Sequence, residues 1–148
     1  GEGGRILFWN SSKWTPVPTR AKTSWNAVFT LSATFTVAVG EAGTVAVLDS
    51  GKVVRELPEP SRPETKLTDN FLGVWAASER DVWSVGKSGA GGSIVRLDGA
   101  CYRRLTLPAS GQKPLRAVAG LADANGFAQE VWMVGDSVVL KWTGARPL

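Results

Sequence analysis

Apolar residues fall along this chain in short runs of four to seven, rich in Val, Leu, Phe and Trp, with Gly, Pro, Ser, Asp and Asn between the runs. No segment shows the three-to-four spacing of an amphipathic helix, so the pattern is that of strands joined by turns. It predicts thirteen short strands, over residues 5–10, 14–18, 26–31, 35–39, 44–48, 53–57, 72–77, 82–85, 93–97, 102–107, 115–119, 131–134 and 138–142. Pro16, Pro18, Pro58 and Pro108 fall at the ends of three of them. Proline has no amide to give to a ladder, so those three strands are expected at sheet edges.

A repeat underlies the pattern. Ala27-Val28-Phe29 lies 46 positions before Gly73-Val74-Trp75, and the same offset carries Val37-Ala38-Val39-Gly40 onto Trp83-Ser84-Val85-Gly86. An offset of 49 then carries Asp81-Val82-Trp83-Ser84-Val85-Gly86 onto Glu130-Val131-Trp132-Met133-Val134-Gly135. After each glycine comes a turn and an apolar strand that runs into an Asp-Gly-like turn. Its copies are Phe8-Trp9-Asn10-Ser11, Val47-Leu48-Asp49-Ser50, Arg96-Leu97-Asp98-Gly99 and Lys141-Trp142-Thr143-Gly144. Each unit therefore holds four strands, A to D, with D ending at proline.

Four strands in a period of 43–49 residues match the blade of a β-propeller. Neighbouring blades cover both faces of each sheet, which explains why Val82-Trp83-Ser84-Val85 does not alternate. The blades divide the chain at 1–24 (partial), 25–71, 72–114 and 115–148 (partial). The glycine closing each B strand is expected to serve a turn needing positive φ. Trp83 and Trp132 share one repeat position, with Val37 as the third copy, and Trp75 is matched by Phe29 and by Val118. Recurrence in one register predicts that these residues fill the space between blades. Trp9 and Trp25 are the candidates for exposure, and Trp14 and Trp142 lie in outer or later strands.

Gly1-Glu2-Gly3-Gly4 resembles the B–C turn Gly40-Glu41-Ala42-Gly43, and the last strand is of type C. Such a segment does not close a ring and leaves apolar sheet faces open. The expected partners are a complementary propeller segment or a second copy of the chain, with the 14–18 strand completing the partner's three-stranded blade at 115–142. The isolated chain is expected to be at least a dimer.

The segment Leu72-Gly73-Val74-Trp75-Ala76-Ala77-Ser78-Glu79-Arg80-Asp81-Val82-Trp83-Ser84-Val85-Gly86 resembles the GVW…DVW-x-VG blade of bacterial repeat propellers, abundant in large secreted or surface proteins of myxobacteria and relatives. These are loosely similar to BNR/Asp-box, Kelch-like and photosystem-II-assembly-type propellers. The first copy departs from the pattern at Ser32-Ala33-Thr34-Phe35, and the third carries an insertion around Asp123-Ala124-Asn125-Gly126. The resemblance implies a propeller fold and an extracellular or cell-surface location. The motif is one of packing and says little about function.

Composition removes most catalytic readings. The chain has no histidine and one cysteine, so it lacks a His-activated nucleophile and a His or Cys metal site. Cys101 is expected to be a small apolar filler. Lys87-Ser88-Gly89-Ala90-Gly91-Gly92 is basic and Gly-rich but joins two strands, without the helix N-terminus that a phosphate loop uses. The net charge of +4 is spread thinly, its densest point being Arg103-Arg104, so nucleic acid is not the expected partner. No apolar run approaches the roughly 20 residues of a membrane span. Asp98-Gly99-Ala100-Cys101-Tyr102, Asp49-Ser50-Gly51 and Asn10-Ser11-Ser12 are expected to form side-chain-capped turns between C and D.

These features predict an all-β propeller segment without enzymatic activity, metal or cofactor, acting as a binding or scaffold module. One alternative is a carbohydrate-binding propeller, which needs exposed Trp9, Trp25 or Trp142. The other is a sialidase- or BNR-like glycoside hydrolase, which needs two acids converging at the channel mouth. Binding is expected on the D–A and B–C loops, the longest of which is 59–70, with Arg62, Glu64, Lys66 and Asp69. The candidate contacts to a protein, glycan or other polar ligand are Arg20, Lys22, Arg62, Lys66, Lys87 and Lys113.

Overall fold

Runs this short have no helical face to bury, and in the computed structural model each one becomes a strand. They are β1 (Ile6–Trp9), β2 (Trp14–Val17), β3 (Trp25–Ser32), β4 (Phe35–Gly40), β5 (Val45–Asp49), β6 (Lys52–Leu57), β7 (Asn70–Ser78), β8 (Asp81–Ser88), β9 (Gly91–Asp98), β10 (Cys101–Arg104), β11 (Leu115–Ala122), β12 (Ala128–Gly135) and β13 (Val138–Thr143). Single 3-10 turns at Glu2–Gly4 and Glu41–Gly43 bear out the likeness of the two B–C turns. The structure describes residues 2–62, 66–98, 101–108 and 112–144. Gly1, Glu64, the Gly99-Ala100 turn, and the 109–111 and 145–148 segments lie outside the described residues.

The strands form four antiparallel sheets: β1–β2, β3–β6, β7–β10 and β11–β13, each a meander in chain order. The strands that end near proline, β2, β6 and β10, lie at sheet edges, as proline requires. Each junction between consecutive sheets has its own apolar cluster. Val17, Trp25, Ala38 and Leu48 join the first sheet to the second. Val37, Val39, Phe71, Val74 and Val82 join the second to the third. Trp75, Trp83, Val85, Val131 and Met133 join the third to the fourth. Each sheet thus sends one set of side chains forward and the alternate set back, and a wedge-like stack results.

Three expectations need correction. Gly40 is extended at φ −155, and Gly86 and Gly135 are not among the positive-φ glycines. What they lack room for is a Cβ, which would stand 2.1, 2.0 and 2.1 Å from the carbonyl oxygens of Ser24, Asn70 and Pro114. The glycine lets the chain entering strand A cross close over the end of strand B. Second, Trp75 pairs with Trp83, and the residue paired with Trp132 is Ala119, so Val118 is not the counterpart of Trp75. Third, Trp132 does not fill a blade junction. Trp83 is 0% exposed between the third and fourth sheets, whereas Trp132, facing forward from the fourth sheet, is 44% exposed.

The same contrast recurs on the forward face of the fourth sheet and on the part of the second sheet that the two-stranded first sheet does not cover. Ile94 is 5% exposed and its counterpart Val139 is 65%; Val74 is 7% exposed and its counterpart Val28 is 65%. Trp9 is exposed as expected, but Trp25 is buried beneath the first sheet. Cys101 is exposed at the start of edge strand β10 and fills no core.

Candidate functional site

The D–A and B–C loops share one face because backbone hydrogen bonds tie each to the other. Glu41 N donates to Ser24 O at 3.0 Å, Gly43 N to Asp69 O at 2.6 Å, Gly92 N to Gln112 O at 3.1 Å and Asp136 N to Pro114 O at 3.1 Å. Side chains on strand D fix the loops further. Buried Glu56 on β6 accepts the backbone N–H groups of Arg20 at 2.9 Å and Ala21 at 2.6 Å. On β10, Arg104 donates two hydrogen bonds to buried Asp69, at 2.5 and 2.6 Å, and Ser93 donates another at 2.5 Å. Glu56 and Arg104 face Ala46 and Val95 at equivalent ladder positions. One strand position thus does the same work with opposite charge.

Burial raises the pKa of Asp69, but the hydrogen bonds from Arg104 and Ser93 and the Arg104 charge outweigh it and hold the carboxyl below its ordinary 3.8. Tyr102, the single tyrosine, lies on the cavity lined by Val37, Phe71, Val82 and Leu97. Its buried hydroxyl has no hydrogen-bond partner among the described residues. Burial pushes its pKa up to about 12, Arg55 and Arg62 oppose the rise, and Glu59 adds to it.

The six candidate cations do not play one role. The Arg20 guanidinium is engaged with the chain itself, reaching Glu56 O at 2.5 Å and Pro58 O at 3.4 Å. Arg62 pairs with Glu59 at 3.9 Å. Lys22 is exposed and its ammonium reaches Thr19 O at 3.5 Å. Lys66, Lys87 and Lys113 are exposed on the loop face. Lys87 pairs within the third sheet with both Asn70 and Gly92, and Gly92 bonds Gln112 beside Lys113. Loops of the third and fourth sheets therefore bring Lys87 and Lys113 to neighbouring positions.

A second constellation lies between the sheets. Asp81 accepts from Trp83 Nε1 at 2.9 Å, from Arg96 at 2.7 and 2.9 Å, and from Ala128 N of the next sheet at 2.7 Å. The Arg96 guanidinium lies beside the paired indoles, 5.0 Å from the Trp83 ring and 5.3 Å from Trp142. The acid two residues before a tryptophan, seen at Asp81 and again at Glu130, was the sequence signal for this clasp. Of the expected side-chain-capped C–D turns, the one at Asn10 forms: Asn10 Oδ1 accepts Ser12 N at 3.1 Å and Lys13 N at 2.9 Å. Ser50 and Gly51 take positive φ beside Asp49. Among the described residues, no three His, Cys, Asp or Glu side chains group as a metal site, and no helix is long and apolar enough to cross a membrane.

No protein-family model matches the chain, and no curated protein matches it by sequence. Solved structures do match. A structure of YCF48 bound to D1 peptide is similar at a TM-score of 0.66 and 14% identity, covering 97% of this chain and 45% of that one. YCF48 from Cyanidioschyzon merolae is similar at 0.64 and 19%, covering 95% of this chain and 44% of that one. YCF48 is a β-propeller protein, and the likeness establishes the fold: an all-β partial propeller. This chain spans less than half the length of either neighbour.

Proposed function

We propose that the chain is a non-enzymatic propeller module that binds an extended, acidic polypeptide segment across the face made by its D–A and B–C loops. The observation that carries this reading is the pairwise hydrogen bonding of those loops, which sets Lys66, Lys87 and Lys113 out on one rigid face. A structural neighbour is described as bound to a peptide, which supports a polypeptide rather than a small molecule. The buried carboxylates Glu56, Asp69 and Asp81 are already occupied as hydrogen-bond acceptors within the fold, a structural use rather than a catalytic one. Self-association is part of the same proposal, through the apolar faces at the two ends of the stack. An extracellular or surface setting in a bacterium fits the repeat pattern and belongs to the proposal too.

The test is fluorescence anisotropy with a labelled Glu-rich peptide. Wild type is expected to bind it, more weakly as salt rises. The Lys66→Glu, Lys87→Glu, Lys113→Glu triple variant is expected to lose about tenfold or more, roughly 1.4 kcal/mol. Equal binding by wild type and triple variant, or equal binding of an uncharged peptide, contradicts the reading.

A further inference from the structure

The chain makes one aromatic clasp within itself and carries the two halves of another on its opposite ends. At the third–fourth junction, Trp142 of β13 seats on Trp83 with ring centroids 4.7 Å apart and lies beside Arg96. One blade on, the receiving half recurs on the open face of the fourth sheet. Trp132 Nε1 donates to Glu130 at 2.5 Å, as Trp83 does to Asp81. The Lys141 ammonium stands 5.0 Å from the Trp132 ring, as the Arg96 guanidinium stands from Trp83. Among the described residues, the covering indole and the backbone N–H that Ala128 gives to Asp81 have no counterpart there.

That indole is present at the other end. Trp9 precedes Asn10 as Leu48 precedes Asp49, Leu97 precedes Asp98 and Trp142 precedes Thr143, so it holds the Trp142 position of its sheet. Leu48, Leu97 and Trp142 all pack back onto the preceding sheet. Trp9 points the same way, exposed and covered by no sheet among the described residues, tilted against the exposed Trp14 at 5.4 Å.

We propose that a second copy of this chain closes the open faces head to tail: Trp9 of one copy lies over Trp132 and Lys141 of the other, as Trp142 lies over Trp83 and Arg96. The inference rests on the self-association in the reading above and names its surfaces. Around the indoles both faces are apolar, with Val134 and Val139 on one and Leu7 on the other. Four sheets per copy make eight for a pair, at the upper end of the roughly four to eight blades of a propeller ring. One copy spans 45% of the YCF48 chain, so a pair supplies most of a ring of that length. A heterologous contact of this kind closes a ring or propagates into a filament, and the proposed pair is the closed one. Stacking is favoured over addition of β2 to the free edge of β13, because edge pairing uses neither indole.

The test is complementation followed by analytical ultracentrifugation, with circular dichroism as the check on folding. Wild type is expected to be a dimer, and Trp9→Glu and Trp132→Glu are each expected to self-associate about thirtyfold or more weakly. An equimolar mixture of the two variants is expected to form a heterodimer tighter than either homodimer and weaker than wild type, because one junction pairs an intact Trp9 with an intact Trp132 while the other carries both substitutions. If either variant misfolds, Trp9→Ser and Lys141→Glu give the same reading. A monomeric wild type at micromolar concentration overturns the self-association reading and this inference together. A wild-type dimer unaffected by either substitution, or variants that do not complement, overturns the inference alone. So does a hydrogen-exchange result in which dimerisation protects the β13 edge amides and leaves Trp132 exposed.

Discussion

Where the second sheet meets the third, the junction holds Phe35, Val37 and Val47; where the third meets the fourth, the same register positions hold Asp81, Trp83 and Arg96. One slot is filled with hydrocarbon, the other with an ion pair packed beside two indoles. Both seal the junction, so the repeat preserves a shape and not a chemistry. Their tolerances differ. A buried ion pair adds little net stability over an apolar filling, yet removing one partner strands the other. It also ties the next sheet in one position, because Ala128 N finds its acceptor only when β12 is seated against Asp81.

Single substitutions separate the two kinds of junction. Phe35→Ala is expected to cost about 3–5 kcal/mol in urea denaturation, as a large cavity in a closed apolar slot. Asp81→Ala is expected to cost about 3 kcal/mol, the low end for a broken buried pair, since Arg96 is 21% exposed and can rehydrate. Asp81→Ala should also speed hydrogen exchange at Ala128, whereas Phe35→Ala should leave it unchanged. Glu130→Ala, the same change on the open face, is expected to leave the urea midpoint of the monomer in place. An equal loss from Asp81→Ala and Glu130→Ala would erase the distinction between closed and open faces.

Two titrations sharpen it further. The Asp69 pKa is depressed in the fold, so the stability it adds is present above 3.8 and is lost as pH falls through its lower folded value. Asp69→Asn should flatten the fall of the urea midpoint with acid. Tyr102 behaves in the opposite sense. Its pKa is raised from 10.0 to about 12, so its contribution is complete below pH 10 and lost as pH climbs toward 12. Absorbance titration of this single tyrosine is expected to give a midpoint near 12 in the fold and near 10 in denaturant.

Most of the architecture was legible because it is local. Strands, turns and edge prolines follow from neighbours in the chain, and the 46 and 49 offsets expose the blade. What escaped depends on contacts distant in sequence. Gly40, Gly86 and Gly135 read as turn glycines, but their reason is a carbonyl arriving from the start of strand A. Trp132 read as a junction residue because it matches Trp83, yet burial belongs to the sheet that covers a residue and not to the repeat. The match of Trp75 slipped by one because the residue equivalent to Leu115 is Phe71 and not Leu72: each stands opposite the glycine that ends strand B, with Trp75 and Ala119 four residues further on. Arg20 read as a ligand contact, and its tie to Glu56 spans 36 residues. The acids that hold the loops were visible as letters, without any sign of the partner each would meet, and for the clasp the sequence offered only an acid two residues before Trp83 and before Trp132.

Equivalent tryptophans are sealed or open according to whether another sheet covers them. Oxidative footprinting of indoles read by mass spectrometry tests it most directly, in the Trp9→Glu chain so that association does not cover the outer face. Trp83 is expected to stay protected until global unfolding while Trp132 reacts in the native state. Equal rates of modification at Trp83 and Trp132 would contradict the face-to-face stacking of the sheets.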